Sequence, residues 1–319
     1  MKVILQKDLY DRSREVFKEA SEKYGIEYFI TDILDEPSMI RFHEKGASCF
    51  VIGAEAYSKK FYESIAEGSA VIRYGVGYDA VPVEICKKRF IKVAYTPGTL
   101  TDSVAEHTIA LLLGLMRNIP ALHNSMKKGQ WKGASGYELK NKTLAILGFG
   151  QIGQATARIA KNGFGMKINV FDKEPGFSSS LYDLYSINYQ EVVCNADVIS
   201  IHLKALPETI GFVNERRIRQ MKDGAVLINT SRGEIIEEKD LFQALDNGKL
   251  AAAALDVFVD EPYNPKPETD FRQLNNVLLS PHCGSNTKEA NDRMAELVIK
   301  NILAYYKKGS MNLIPEITL

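Results

Sequence analysis

Short runs of β-branched and aliphatic residues alternate with longer amphipathic stretches from the start of the chain. Val3–Leu5, Tyr28–Thr31, Cys49–Gly53, Val71–Tyr74 and Ile91–Tyr95 read as strands, with polar helical segments between them. This alternation predicts a parallel sheet covered by helices. The rhythm breaks at Thr96-Pro97-Gly98, a strong turn signal. A helix with an apolar body follows over Thr101–Met116, with Asp102 and Glu106 towards its positive N-terminal end. Residues 119–142 hold Pro120, the only tryptophan (Trp131) and a Gly/Ser/Lys mixture without clear periodicity. A second alternating block runs from Thr143 to about Pro281, and one long helix spans Asn286–Lys308 before a short tail. Two such blocks predict an α/β protein of two doubly wound parallel-sheet domains. In these folds ligands sit beyond the carboxyl ends of the strands, so chemistry is sought there.

Composition narrows the classes. The chain has 319 residues, 45% hydrophobic and 25% charged, a balance that argues against disorder. Its 40 basic and 40 acidic residues cancel, which removes the electrostatic footprint of a nucleic-acid partner. The apolar part of Met1–Lys7 is too short for a signal peptide, and the run Ile109–Met116 falls far below the roughly 20 residues that span a bilayer. No membrane partner is therefore expected. Cys49, Cys86, Cys194 and Cys283 show no CxxC spacing, so neither a disulfide framework nor a metal site is indicated. The expectation is a soluble, cytoplasmic protein.

The second block opens on candidate chemistry. The buried-type strand Thr143–Leu147 runs directly into Gly148-Phe149-Gly150-Gln151-Ile152-Gly153, and helical spacing continues to Gly163, read as the helix stop. The next strand, Ile168–Phe171, ends in Asp172, 19 residues past the third glycine. Gly148 permits a tight turn, Gly150 lets the backbone approach a pyrophosphate, and Gly153 allows close helix–strand packing. The helix N-terminus offers free N–H groups to phosphate. Asp172 can accept both ribose hydroxyls, and its charge repels a 2′-phosphate, favouring NAD over NADP. A lone GxGxxG carries little, but strand, glycines, helix, strand and terminal acid in one unit carry much.

Three further strand ends carry polar groups. Val226–Asn229 runs into Thr230-Ser231-Arg232-Gly233, Ala252–Leu255 into Asp256 and then Asp260-Glu261-Pro262, and Val277–Ser280 into Pro281-His282-Cys283-Gly284. Hydride addition to a carbonyl needs a proton donor for the forming alkoxide, and histidine is suited to that near neutral pH. A carboxylate beside the imidazole orients it and favours the imidazolium. A guanidinium grips a substrate carboxylate with two parallel hydrogen bonds.

These motifs, in this order and over nearly the whole chain, resemble the D-isomer-specific 2-hydroxyacid dehydrogenase family. The resemblance implies an NAD-dependent oxidoreductase that interconverts a 2-keto acid and a D-2-hydroxy acid. It casts Arg232 as the group that binds the substrate carboxylate, His282 as acid/base and Glu261 as its partner. It assigns cofactor contacts to Gly148, Gly150, Gln151, Ile152, Gly153, Asp172, Thr230, Ser231, Gly284 and Asp256, the last at the nicotinamide end. Gly75-Val76-Gly77-Tyr78-Asp79 is similar to the family's substrate loop, so backbone N–H groups of Val76 and Gly77 are expected to bind the carboxylate along with Arg232. The implied plan is a flavodoxin-like substrate domain from residues 1–98 plus 287–319, and a Rossmann NAD-binding domain from 99–286. Within the latter, 119–142 would form a homodimer contact around Trp131. One departure is visible: after Ser200-Ile201-His202 the family usually shows a proline where this chain has Lys204.

Plainer roles suit several other residues. His202 reads as structural, Cys283 as a small packing residue, and His43, His107 and His123 as surface or interface positions without ligand spacing. Competing functions include a non-catalytic dinucleotide-sensing module of the corepressor type, for which the chain leaves no room for interaction tails. A formate dehydrogenase of the same architecture is disfavoured because it has glutamine where this chain has Glu261. A short D-3-phosphoglycerate dehydrogenase is the nearest enzymatic alternative. Against it, the loop after the third strand carries Glu55 and no arginine lies between Arg41 and Arg73.

Overall fold

The computed structural model describes residues 1–174 and 179–318, which divide into two compact units. One comprises residues 1–100 and 286–319, the other residues 101–285.

In the first unit, β1 (Lys2–Gln6), β2 (Glu27–Thr31), β3 (Cys49–Ile52), β4 (Ala70–Arg73) and β5 (Lys92–Ala94) form a parallel sheet in the order β2-β1-β3-β4-β5. This is the flavodoxin-type order, whose ligand crevice lies where the order reverses, at the ends of β1 and β3. All four residues of β3 are buried, as a central strand covered on both faces requires, and Ile4, Phe50, Phe61, Tyr62 and Val71 share one core. The long C-terminal helix spans Lys288–Tyr306, slightly shorter than expected because the Thr287 hydroxyl caps it by accepting the Ala290 N–H at 3.1 Å. Its buried face repeats at Ala290, Met294, Val298 and Ile302, one residue per turn.

The second unit holds β6 (Thr143–Leu147), β7 (Lys167–Phe171), β8 (Leu184–Ser186), β9 (Val198–Ile201), β10 (Ala225–Asn229), β11 (Leu250–Leu255) and β12 (Val277–Leu279). They form a fully parallel sheet ordered β12-β11-β10-β9-β6-β7-β8. The Rossmann order is present with one added strand. The two-residue period sorts the strands onto two cores: Ala145, Leu147, Ile199, Ile201 and Leu227 on one face, and Leu144, Ile146, Val198, Val226 and Ile228 on the other. The strand order reverses between β6 and β9, so the crevice falls at Gly148 and His202.

Two sequence expectations need correction. The helix after the glycine loop runs Gln151–Phe164, straight through the exposed Gly163, and stops at Gly165. Gly165 takes φ +63°, where a glycine cap closes on the Ala160 and Lys161 carbonyls. The extra residues let Phe164 pack against the core. Residues 119–142 were expected to lack regular structure, yet Ile119–Lys127 is a helix. None of its residues is buried, so no core imposes an apolar period by which the sequence could reveal it.

Candidate active site

The glycine loop after β6 uses each glycine for a different reason. Gly148 has φ +93°, and a Cβ there would come within 2.7 Å of the His202 backbone. A Cβ on Gly153 would meet the Gly148 carbonyl oxygen at 2.3 Å. Gly150 has open space where its side chain would be, directly at the uncapped N-terminus of the helix Gln151–Phe164. The absent side chain and the uncapped N–H groups make a cradle for a pyrophosphate. Asp172 closes the unit: its carboxylate accepts the Phe149 N–H at 2.6 Å and the Glu174 N–H at 3.0 Å. The acid is thereby fixed to the glycine loop at the end of β7. His202 behaves as structural, with its ring 2.8 Å from the Ser200 hydroxyl, and burial holds it neutral by lowering its pKa to about 4. These groups fit NAD.

Three loops at the carboxyl edge bring the catalytic candidates together. After β10, the fully buried Asn229 shapes the turn by donating to the Arg232 carbonyl at 2.8 Å and accepting the Ser231 N–H at 3.0 Å. The Ser231 hydroxyl donates to the Leu203 carbonyl, and the Thr230 hydroxyl lies 2.9 Å from that of Thr108. Gly233 then touches the loop after β11, because a Cβ there would fall 2.0 Å from the Phe258 carbonyl carbon. This backbone contact sets Arg232 beside Glu261. His282 Nδ1 lies 2.6 Å from Glu261 Oε2, and Glu261 Oε1 accepts the Phe258 N–H at 3.0 Å. Burial alone would raise the Glu261 carboxyl. The His282 hydrogen bond and charge, the Phe258 N–H and the Arg232 charge outweigh it, so the carboxyl lies below its ordinary range.

Asp256 is 1% exposed and organises the third loop. Its carboxylate accepts from the Ser280 hydroxyl (2.5 Å), the Cys283 N–H (3.0 Å) and the Gly284 N–H (2.8 Å), while its carbonyl accepts the His282 N–H at 2.8 Å. Burial pushes this carboxyl up, but the hydrogen bonds win and hold it at about 2. His282 itself adopts φ +48°, a left-handed conformation that a non-glycine residue adopts only when its surroundings impose it. Asp256, expected as a cofactor contact, is also the acceptor that fixes the His282 loop.

His107 corrects the sequence reading. Its side chain is 22% exposed, yet its Nε2 is engaged within the unit, 3.3 Å from Asp256 Oδ1 and 3.2 Å from the Ser280 hydroxyl. His107 follows the polar first turns of Thr101–Met116 and offers no ligand spacing, so the sequence carries no signal that separates it from a surface histidine. Val76 and Gly77 lie in the other unit, after β4. Their N–H groups make no hydrogen bond within that unit among the described residues. At the crevice of that unit, Gln6 donates to Glu55 at 3.2 Å. Arg73, at the end of β4, donates to the Tyr74 carbonyl.

Residues 109–284 match a family described as D-isomer specific 2-hydroxyacid dehydrogenase, NAD binding domain. A glyoxylate reductase of Thermococcus litoralis is 40% identical over 260 residues, covering 78% of this chain and 77% of that protein. Among solved structures, a glyoxylate reductase from Paecilomyes thermophila superposes with a TM-score of 0.86 at 26% identity, covering 99% of this chain and 98% of that one. The Aquifex aeolicus D-lactate dehydrogenase, complexed with NAD and lactic acid, gives 0.82 at 26% identity, covering 96% of each chain. The match extends through the glycine loop, the arginine turn and the histidine loop. The chain belongs to the D-isomer specific 2-hydroxyacid dehydrogenase family, NAD-dependent oxidoreductases that interconvert 2-keto acids and D-2-hydroxy acids.

Proposed function

We propose that this enzyme reduces a small, unphosphorylated 2-keto acid of the glyoxylate or hydroxypyruvate type, with Arg232, Glu261 and His282 as its catalytic residues. The observation that carries this reading is the 2.6 Å contact between His282 Nδ1 and Glu261 Oε2 beside Arg232. Bound NADH supplies the hydride. Arg232 holds the substrate carboxylate in its planar fork. With Nδ1 engaged by Glu261, His282 presents Nε2 to the keto oxygen and donates a proton as the alkoxide forms. Gly148, Gly150, Gln151, Ile152 and Gly153 serve the pyrophosphate, and Asp172 the ribose. Thr230, Ser231, Asp256 and Gly284 line the nicotinamide side. On this reading residues 1–98 with 287–319 form the substrate domain and 99–286 the NAD domain.

The chemistry at the ends of β1 and β3 supports an unphosphorylated substrate. Burial raises the Asp8 carboxyl, Arg12 lowers it and the nearby Glu55 charge raises it again. A phosphate dianion placed in that crevice would face two acids, Asp8 and Glu55, beside one guanidinium, Arg12, that already pairs with Asp8 at 3.3 Å.

We also propose a homodimer formed through residues 119–142. Trp131 is 89% exposed, Tyr137 67% and Ile119 54%, a concentration of apolar surface that a two-fold contact would cover. A cytoplasmic location suits the four free cysteines. No helix among the described residues is long and apolar enough to cross a membrane.

The direct test follows NADH oxidation against glyoxylate, pyruvate, hydroxypyruvate, branched and aromatic 2-keto acids, and 3-phosphohydroxypyruvate. A small unphosphorylated acid is expected to give the highest kcat/KM. A value for the phosphorylated compound tenfold above all others would overturn the reading and make the enzyme a D-3-phosphoglycerate dehydrogenase.

A further inference from the structure

His107, Asp256 and Cys283 converge from three separate elements: the middle of the helix Thr101–Met116, the end of β11 and the loop after β12. Their donor atoms are one nitrogen, one oxygen and one sulfur. Asp256 Oδ1 lies 3.3 Å from His107 Nε2 and 3.6 Å from Cys283 Sγ, and the latter two lie 4.0 Å apart. A tetrahedral zinc ion with ordinary bond lengths, about 2.3 Å to sulfur and about 2.1 Å to nitrogen or oxygen, separates its ligands by about 3.4 Å (N to O) and about 3.5 Å (S to N or O). Two of the three edges match, and the third is within about 0.5 Å of the ideal value.

The surroundings support the donors in the way a metal site requires. The Ser280 hydroxyl and the Cys283 and Gly284 N–H groups hold the carboxylate in place, the outer-shell arrangement that orients ligating oxygens. Gly284 leaves the room: a Cβ there would lie 3.0 Å from Asp256 Oδ2 and 3.3 Å from the His107 ring. Asp256 is almost wholly buried, whereas the His107 side chain is 22% exposed, so the cluster opens on one side. Nitrogen, oxygen and thiol donors together select a borderline or soft divalent cation over magnesium or calcium.

We propose that His107, Asp256 and Cys283 form a binding site for a single zinc-like divalent cation, with a water or a small anion as fourth ligand. On binding, Cys283 releases its thiol proton to solvent and His107 offers the lone pair of Nε2. Because Cys283 follows His282, and Asp256 and Gly284 line the nicotinamide side in the function proposed above, the cation is an inhibitor that competes with NADH. That last clause rests on the proposed function; the site itself does not.

The test uses the full-length enzyme freed of metal by chelation and titrated with cobalt(II) and zinc. One cobalt per chain is expected, with the near-ultraviolet thiolate-to-cobalt absorption and the visible bands of a tetrahedral ion. Zinc should displace it. Cys283→Ala and His107→Ala should each weaken binding at least tenfold. Cys283→Ser, which keeps the size of the side chain, should abolish the thiolate band, with folding of each variant checked by circular dichroism. Absence of stoichiometric binding, or binding that survives all three substitutions, overturns the proposal. Loss of the band on adding NADH supports both the site and its inhibitory role. A band that persists with NADH bound leaves the site standing and overturns the competition, and with it the placement of Asp256 beside the nicotinamide.

Discussion

Glu261 Oε2 lies 2.6 Å from His282 Nδ1, and the other oxygen of the same carboxylate accepts the Phe258 N–H at 3.0 Å. The carboxylate is thus held from its own loop while it holds the imidazole. It remains ionised through the neutral range, because its pKa lies below the ordinary carboxylate value.

The pair makes a signed prediction about pH. Glu261 is charged at every pH above its depressed pKa, so a carboxylate faces the His282 ring wherever keto-acid reduction is measured. Glu261→Gln removes the charge and keeps the shape. The alkaline limb of reduction should therefore move to lower pH, and oxidation of the hydroxy acid should become possible at lower pH. A pH–rate profile that does not move would show that another group titrates.

Arg232 is expected to act through geometry as well as charge. Lysine keeps the charge and loses the planar fork, so Arg232→Lys should lower kcat/KM for the keto acid by about 100-fold, roughly 2.7 kcal/mol. NADH affinity, measured by fluorescence titration, should change less than about twofold, since the guanidinium is assigned to substrate and the cofactor groups lie elsewhere. Near-normal turnover would mean that the carboxylate is gripped by another residue.

Asp172 is expected to set the choice of cofactor. Its carboxylate is tied to the Phe149 and Glu174 N–H groups and cannot swing away from an approaching 2′-phosphate. A repulsion of roughly 3 kcal/mol gives NADH an advantage over NADPH of about two orders of magnitude in kcat/KM. Equal rates with the two cofactors would remove Asp172 from the ribose.

Trp131 tests the assembly. Light scattering at micromolar concentration should report a dimer, and Trp131→Glu should yield a folded monomer by burying a charge in the contact. A wild-type monomer would exclude the segment 119–142 as an interface.

The residue pattern by itself determined the two parallel-sheet blocks, because strands buried on both faces must be continuously apolar and a glycine-rich turn admits few alternatives. It also determined the candidate set Asp172, Arg232, Glu261 and His282, since each lies in the loop that follows a strand, where open α/β sheets expose their chemistry. Tertiary structure decided what sequence distance concealed. His107 lies 149 residues before Asp256 in the chain, yet their side chains are 3.3 Å apart, and only the packing of the helix Thr101–Met116 against the sheet brings them together. The setting of Asp256 was decided the same way: hydrogen bonds from Ser280, His282, Cys283 and Gly284 converge on it, and each of these partners lies at least 24 residues away. The helix Ile119–Lys127 escaped notice because it buries none of its residues, and a hydrophobic period is written into sequence only where a core enforces it. Local backbone preferences act within a few residues, whereas the surroundings that tune a charged group are assembled by the fold.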